Sequence, residues 1–343
     1  MSTAAKRTTR VLVTTGSTLL ALLGAMAGLL SVQARRARTS IGLNLPLSDP
    51  RAEGRFGGND GEPLQLAMLG DSLAVGIGAD SPAQTAAAIL ARGLAVASGK
   101  PVELNNVALP GGESESLSGQ VQQLLHDVPK SDAAAEIAGQ ADPRVAVIIV
   151  GANDVTRLNR VADAVKSLTL AVRTLRAAGW EVVVATCPDL GTIRPLRHPL
   201  RFFARRSSRL LAAAQTIAVI RAQGRTVSLA DTLGKAFSTR PKAMFATDMF
   251  HPSSRGYSRA AAVLLPAVCE AAGYWGREAR ETIELGGAPV TPKRQVEKSR
   301  SLTRAAFRAV SRPGAEVTTE PGYGSLTGQR AVIKHRGRSR AVK

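Results

Sequence analysis

Four short blocks of this sequence hold residue types that could together carry out nucleophilic attack on a carbonyl. The first is Leu69-Gly70-Asp71-Ser72-Leu73. A serine on a tight strand-to-helix turn exposes its hydroxyl, and the following helix N-terminus offers backbone N–H groups without intrahelical partners. The second, Asn105 to Ser114, contains Pro110-Gly111-Gly112, where a glycine lets the backbone approach a ligand and present an N–H to an oxyanion. The third, Val150-Gly151-Ala152-Asn153-Asp154, carries a side-chain amide at Asn153 that can donate to the same developing charge. The fourth is Asp248-Met249-Phe250-His251-Pro252. A carboxylate three residues before an imidazole on a loop can fold back onto it. It then fixes the tautomer and stabilises the imidazolium formed when the histidine takes a proton from a serine. The chain has four histidines, and the other three keep poorer company: His126 ends a helix, His198 lies among arginines and His335 in a basic tail. Each block also has a plain structural reading. Ser72 would be a helix N-cap, the glycines an ordinary turn, Asn153 or Asp154 a cap, and His251 a structural histidine.

What the blocks share is their place after apolar runs. Strands are expected at Gln65–Leu69, Val102–Val107, Val145–Val150, Glu181–Ala185 and Thr226–Leu229. They are Val/Ile/Leu-rich without strict alternation, as in parallel strands buried on both faces. Helical stretches lie between and after them, near 82–97, 114–126, 158–178, 200–223 and 255–273. Strand and helix in turn, with connections too long for hairpins, imply a doubly wound α/β domain over residues 63–275. Such sheets put chemistry at the carboxyl ends of their strands, which is where the blocks fall.

In that order and at those positions, Gly70-Asp71-Ser72-Leu73, Asn106 through Gly111, Gly151-Ala152-Asn153-Asp154 and Asp248 through His251 resemble the SGNH (GDSL) hydrolases. These are serine esterases and lipases. The resemblance covers about residues 64–273, and Pro110 departs from the small polar residue many relatives have there. It implies a three-layer α/β/α flavodoxin-like fold with a central parallel five-stranded sheet. It further implies Ser72 as nucleophile, His251 as base and Asp248 as its orienter. The oxyanion donors would be the backbone N–H of Ser72, that of Gly111, and the Asn153 side chain. The reaction would be hydrolysis of an acyl ester or thioester through an acyl-enzyme, without a cofactor. No metal is expected either, because Asp71, Asp154 and Asp248 lack the His or Cys companions of a transition-metal cluster.

The net charge of +19 describes the ends of the chain more than its body. Residues 1–38 hold six basic groups and no acid, and 277–343 hold fifteen basic and six acidic; residues 39–276 are nearly balanced. With only 3% aromatics, that excludes a specific nucleic-acid platform. After a short basic stretch at 1–10, residues 11–34 carry no charge. At ~1.5 Å per residue they would span roughly 36 Å, enough to cross a bilayer core of about 30 Å. The expectation is a membrane anchor with the catalytic domain outside the cytoplasm. A cleaved signal ending near Val32-Gln33-Ala34, giving a secreted protein, is the competing reading. Residues 35–62 read as a linker. Residues 276–343 read as a basic, disordered tail with a short helix near Leu302–Val310.

Eight arginines and no acid fall between Arg194 and Arg225, and Arg201, Arg205 and Arg209 repeat every four residues on one helical face. A solvated basic face is the plain reading, and contact with anionic lipid headgroups the functional one. Phe202, Leu210, Ile217 and Ile220 are expected to pack inward. Cys187 and Cys269, at opposite ends of their elements, are expected to be free thiols. The substrate expected is a lipid or cell-envelope acyl ester. Rival accounts are a carbohydrate O-acetylesterase or acetyltransferase on the same scaffold, and a non-catalytic protein that holds an anionic polymer. The oligomeric state is not set by the sequence.

Overall fold

The five apolar runs pair side by side and parallel: β2 (Leu64–Gly70), β3 (Val102–Asn106), β4 (Arg144–Ile149), β5 (Trp180–Thr186) and β6 (Arg225–Ser228), in the order β3-β2-β4-β5-β6. They belong to a computed structural model that describes residues 21, 24–37, 39, 49–58, 60–128, 143–229, 234–274, 294–299, 302–310, 315–321 and 329–336. This is the expected doubly wound α/β fold. Its order reverses between β2 and β4, so the crevice for a ligand lies at their carboxyl ends.

Alternate residues of each strand feed two cores. Leu66 and Met68 of β2, Val145 and Val147 of β4, and Val183 of β5 face one layer. Ala67, Leu69, Ala146, Ile148, Val182 and Val184 face the other. The helices of the stretch 64–274, in chain order, are α1 (Ser72–Val75), α2 (Ala86–Ser98), α3 (Leu117–Asp127), α4 (Ala152–Thr156), α5 (Val161–Ala177), α6 (Leu200–Arg221), α7 (Gly234–Thr239), α8 (Pro241–Met244) and α9 (Ser254–Ala271). Helices α2 and α9 cover the first core, while α3 and α5 cover the second. Full burial of each Leu, Ile or Val side chain contributes roughly 1.5–3 kcal/mol, so both layers are needed. Thr85 caps α2 by accepting from Ala88 N (3.2 Å), and Ser253 caps α9 by accepting from Gly256 N (3.3 Å).

The sheet continues past both expected edges. In the stretch read as a linker, β1 (Gly54–Phe56) pairs antiparallel with β3. At the other side β8 (Glu316–Pro321) pairs antiparallel with β6, followed by β9 (Gln329–Arg336) and β7 (Arg294–Ser299). The segment expected to be a disordered tail thus contributes three strands and α10 (Leu302–Val310), the short helix the sequence suggested. Ala305 and Ala309 of α10 are buried in a cluster with Ile220 and Val317. The carboxylate of Glu316, buried in β8, lies 3.4 Å from Arg225 of β6, which also lies 3.6 Å from Glu270 of α9. A polar-rich composition hid this packing because small alanines and one paired carboxylate do it.

The expected membrane span at 11–34 lies partly outside the described residues, as does all of 1–10. Among the described residues no helix is long and apolar enough to cross a membrane. Residues 24–37 are helical, and Gln33 binds the α6 entry by donating to His198 O (2.9 Å) and accepting from Leu200 N (3.2 Å).

Candidate active site

The strand ends bring Ser72, His251 and Asp248 together. β2 terminates at Gly70, which has φ +128° and is pressed so closely on β4 that a Cβ would lie 1.9 Å from Ile149 O. Only glycine fits there. Gln120 of α3 clasps the same residue from the other side, accepting from Gly70 N (2.7 Å) and donating to Gly70 O (2.9 Å). Asp71 then caps α1 by accepting from Leu73 N (2.9 Å), which leaves Ser72 as the first helical residue. Its N–H has no carbonyl partner within the helix.

Ser72 Oγ lies 2.9 Å from His251 Nε2, and His251 Nδ1 lies 2.5 Å from Asp248 Oδ2. All three residues are buried. An ionised carboxylate only accepts, so Nδ1 carries the imidazole proton and Nε2 is left to accept from the serine hydroxyl. Asp248 is itself fixed, its Oδ1 accepting from Phe250 N (2.9 Å) and His251 N (3.0 Å). This tight turn requires a positive φ of 55° at Met249. A bridge between Phe245 and Pro252 closes the loop, and the Phe250 ring meets the imidazole edge-on at 4.8 Å.

The glycine and asparagine blocks stand beside the serine turn and are bonded to each other. Asn153 Nδ2 donates to Gly112 O (2.9 Å), which commits one of its two amide hydrogens. Asp154, buried, accepts from Ser114 N (3.1 Å) and Ser114 Oγ (2.9 Å), tying α4 to the Gly111 turn. Gly112 N donates to Leu109 O, and Leu109 N to Gly70 O (3.0 Å), so the turn is bonded to the end of β2 as well. Gln215 of α6 joins the ends of β4 and β5, donating to Val150 O (3.0 Å) and accepting from Cys187 N (2.8 Å). Sequence reasoning missed Gln120, Gln215 and the Asp154–Ser114 pair.

Asp71 is the electrostatic anomaly. Burial raises its carboxyl from 3.8 to about 7; the bond from Leu73 N opposes the rise, and the charge of Asp154 adds to it. Its Oδ2 has no hydrogen-bond partner among the described residues. Cys187 and Cys269 are free, as expected, and both are buried, which pushes their thiols up, Cys269 to about 12. No group of His, Cys, Asp and Glu among the described residues could hold a metal ion.

Beside Ser72 lies a shallow apolar cleft, partly open to solvent, lined by Leu73, Leu190, Ile193, Phe237, Phe245 and Phe250. The arginine face of α6 is turned onto the chain itself. Arg205 Nε and Arg209 Nη2 lie 3.3 and 3.0 Å from Asp189 Oδ2, and Arg201 Nε donates to Leu196 O (2.9 Å). The inward face of α6 is only partly the one expected: Ile220 is buried and Ile217 half-buried, but Phe202 and Leu210 are not. Phe202 and Leu210 are 56% and 50% exposed, while Ser208, Leu211, Gln215 and Ile220 are buried. Arg205 and Arg209 keep half-exposed side chains while pairing with the buried Asp189.

The GDSL-like Lipase/Acylhydrolase family pattern matches residues 68–259. A GDSL-like esterase of Mycobacterium tuberculosis is 38% identical over 281 residues, which are 79% of this chain and 84% of that one. Among solved structures, a lipase from a goat rumen metagenome aligns with a TM-score of 0.45 and 21% identity over 62% of this chain and 99% of its own. A catalytic mutant of an acetylxylan esterase from Geobacillus stearothermophilus aligns with a TM-score of 0.44 and 15% identity, over 64% and 98%.

Proposed function

The chain belongs to the GDSL-like lipase/acylhydrolase family of ester hydrolases, and on that premise we propose that it cleaves acyl esters through Ser72, His251 and Asp248 by way of an acyl-enzyme. The observation that carries this reading is the 2.9 Å contact from Ser72 Oγ to His251 Nε2, with Asp248 on the opposite ring nitrogen.

In the first step His251 Nε2 takes the hydroxyl proton as Ser72 Oγ bonds to the ester carbonyl carbon, and Asp248 stabilises the imidazolium. The charge that develops on the carbonyl oxygen is met by the N–H groups of Ser72 and Gly111 and the second amide hydrogen of Asn153. One such donor is worth about 3–4 kcal/mol in the transition state. When the tetrahedral adduct collapses, the alcohol oxygen leaves with the proton held by His251. His251 then deprotonates a water that attacks the acyl-serine, and the acid departs as Ser72 regains its proton.

The apolar lining of the cleft favours a hydrocarbon acyl group, so lipid or cell-envelope esters are the substrates of this proposal. An envelope location is part of it, motivated by the uncharged stretch at 11–34. The test is labelling of the full chain with a fluorophosphonate probe beside Ser72→Ala, followed by rates on esters of increasing acyl length. Label on Ser72 and a preference beyond acetyl support the proposal. Label with acetyl strongly preferred would turn the reading to a carbohydrate O-acetylesterase or acetyltransferase. No label on folded protein refutes it and leaves the anionic-polymer account.

A further inference from the structure

One wall of the apolar cleft is the segment after β5: Pro188, Asp189, Leu190, Thr192 and Ile193 all line it. A carboxylate in such a wall is costly to bury unless its oxygens are paired. The Asp189 side chain is only 2% exposed, and both of its oxygens are engaged. Oδ1 accepts from Gly191 N (2.9 Å), which bends the wall into its turn. Oδ2 receives Arg209 through Nε (3.0 Å) and Nη2 (3.0 Å), and Arg205 Nε at 3.3 Å. Between those arginines, Ser208 Oγ accepts from Leu190 N (3.2 Å). Three residues on one turn of α6 thus grip two consecutive residues of the wall, Asp189 and Leu190. There is no slack, since a Cβ on Gly191 would lie 2.7 Å from Arg205 Cβ.

We infer that Asp189, held by Arg205 and Arg209, fixes the position of the cleft wall and thereby sets which acyl groups the enzyme accepts. This rests on the proposed ester hydrolysis at Ser72. Neither arginine lines the cleft, so they are positioning residues. Asp189 provides the buried end of the clamp, and the arginines, 52% and 37% exposed at their side chains, provide its outer end. Arg209 sets two guanidinium nitrogens on the one oxygen Oδ2, a planar approach that a lysine's single ammonium does not reproduce.

The experiment compares the full chain with Arg205→Ala, Arg209→Ala and Arg209→Lys on acetyl, butyryl and hexanoyl esters of one alcohol. A fluorophosphonate labelling rate is measured in parallel. Release of the wall is expected to lower the preference for hexanoyl over acetyl about 10-fold in Arg209→Ala, within the range one pocket methylene commands. The loss should lie in KM, with the labelling rate of Ser72 changed less than threefold. Arg209→Lys should recover part of the preference. An unchanged acyl profile in both alanine variants, even with lowered stability, overturns the inference and leaves the clamp a fold-stabilising contact only. If the alanine variants do not fold, Arg209→Lys alone decides, with an unshifted profile counting against the inference. Failure of the underlying reading is distinct, because the unsubstituted chain would then not label at Ser72.

Discussion

Replacing Asp71 by asparagine should make the protein more stable at neutral pH, and the size of the gain follows from its surroundings. Burial lifts the carboxyl from 3.8 to about 7 in the folded chain, and its Oδ2 lacks a partner among the described residues. A tenfold change in proton affinity between the folded and unfolded chain corresponds to ~1.36 kcal/mol, so a rise of this size amounts to about 4 kcal/mol. Between those two values the folded state holds a proton that the unfolded chain has released. Stability therefore falls as pH rises through this window and levels off above about 7. An asparagine has the same shape, still accepts from Leu73 N, and never ionises. The stability of Asp71→Asn relative to the unsubstituted chain should thus grow by about 4 kcal/mol from pH 4 to pH 8. Urea unfolding of both proteins at half-unit pH steps measures this, and the subtraction cancels every other titrating group. A difference that stays flat across the window refutes the reasoning. A difference of the opposite sign would mean that the ionised carboxylate is held by a partner.

Three further outcomes can be checked directly. Asp248→Asn should lower kcat by about 10⁴ while KM stays near its original value, since the imidazole loses the acceptor that sets its tautomer; initial rates decide it. Gln120→Leu leaves Gly70 N–H buried without its acceptor and should cost about 1–3 kcal/mol in chemical denaturation. Cys187 and Cys269 should resist iodoacetamide at pH 8 until the protein is unfolded, because both thiols are buried and pushed up. Rapid alkylation of either in native protein, read by mass spectrometry, would contradict that.

The five parallel strands were legible because two-sided burial writes itself as unbroken Val, Ile and Leu, and the observed limits agree with expectation to within a residue or so. The blocks that hold Ser72, Gly111, Asn153, Asp248 and His251 stood out because each follows a strand or precedes a helix in a fixed order, and the fold places Ser72, His251 and Asp248 in contact and bonds Asn153 to the Gly111-Gly112 turn. Their supports were not. Gln120 and Gly70 are 50 residues apart and Gln215 and Val150 65 apart, so an ordinary surface-type glutamine becomes a clasp only when the layers close. Helix α6 was misphased for a related reason. Its arginines pair with Asp189, 20 residues before Arg209, and its buried face is built on Ser208, Leu211, Gln215 and Val219, with Phe202 and Leu210 left outside. In the C-terminal segment, basic and small residues masked β8, whose partner β6 lies some 90 residues earlier in the chain.

That last pairing has a bearing on how the protein behaves at high concentration. Without β8 the parallel sheet would end at β6, whose Thr226 and Val227 now face Val317 and Glu316. An open edge of buried-type residues is a template on which a second chain can add a strand. With β8 paired to it, β6 is no longer an edge, and the outermost strand on that side is β7. A chain cut after residue 274 would retain Ser72, His251 and Asp248 but leave β6 as an open edge, and it should self-associate more than the full chain in light scattering.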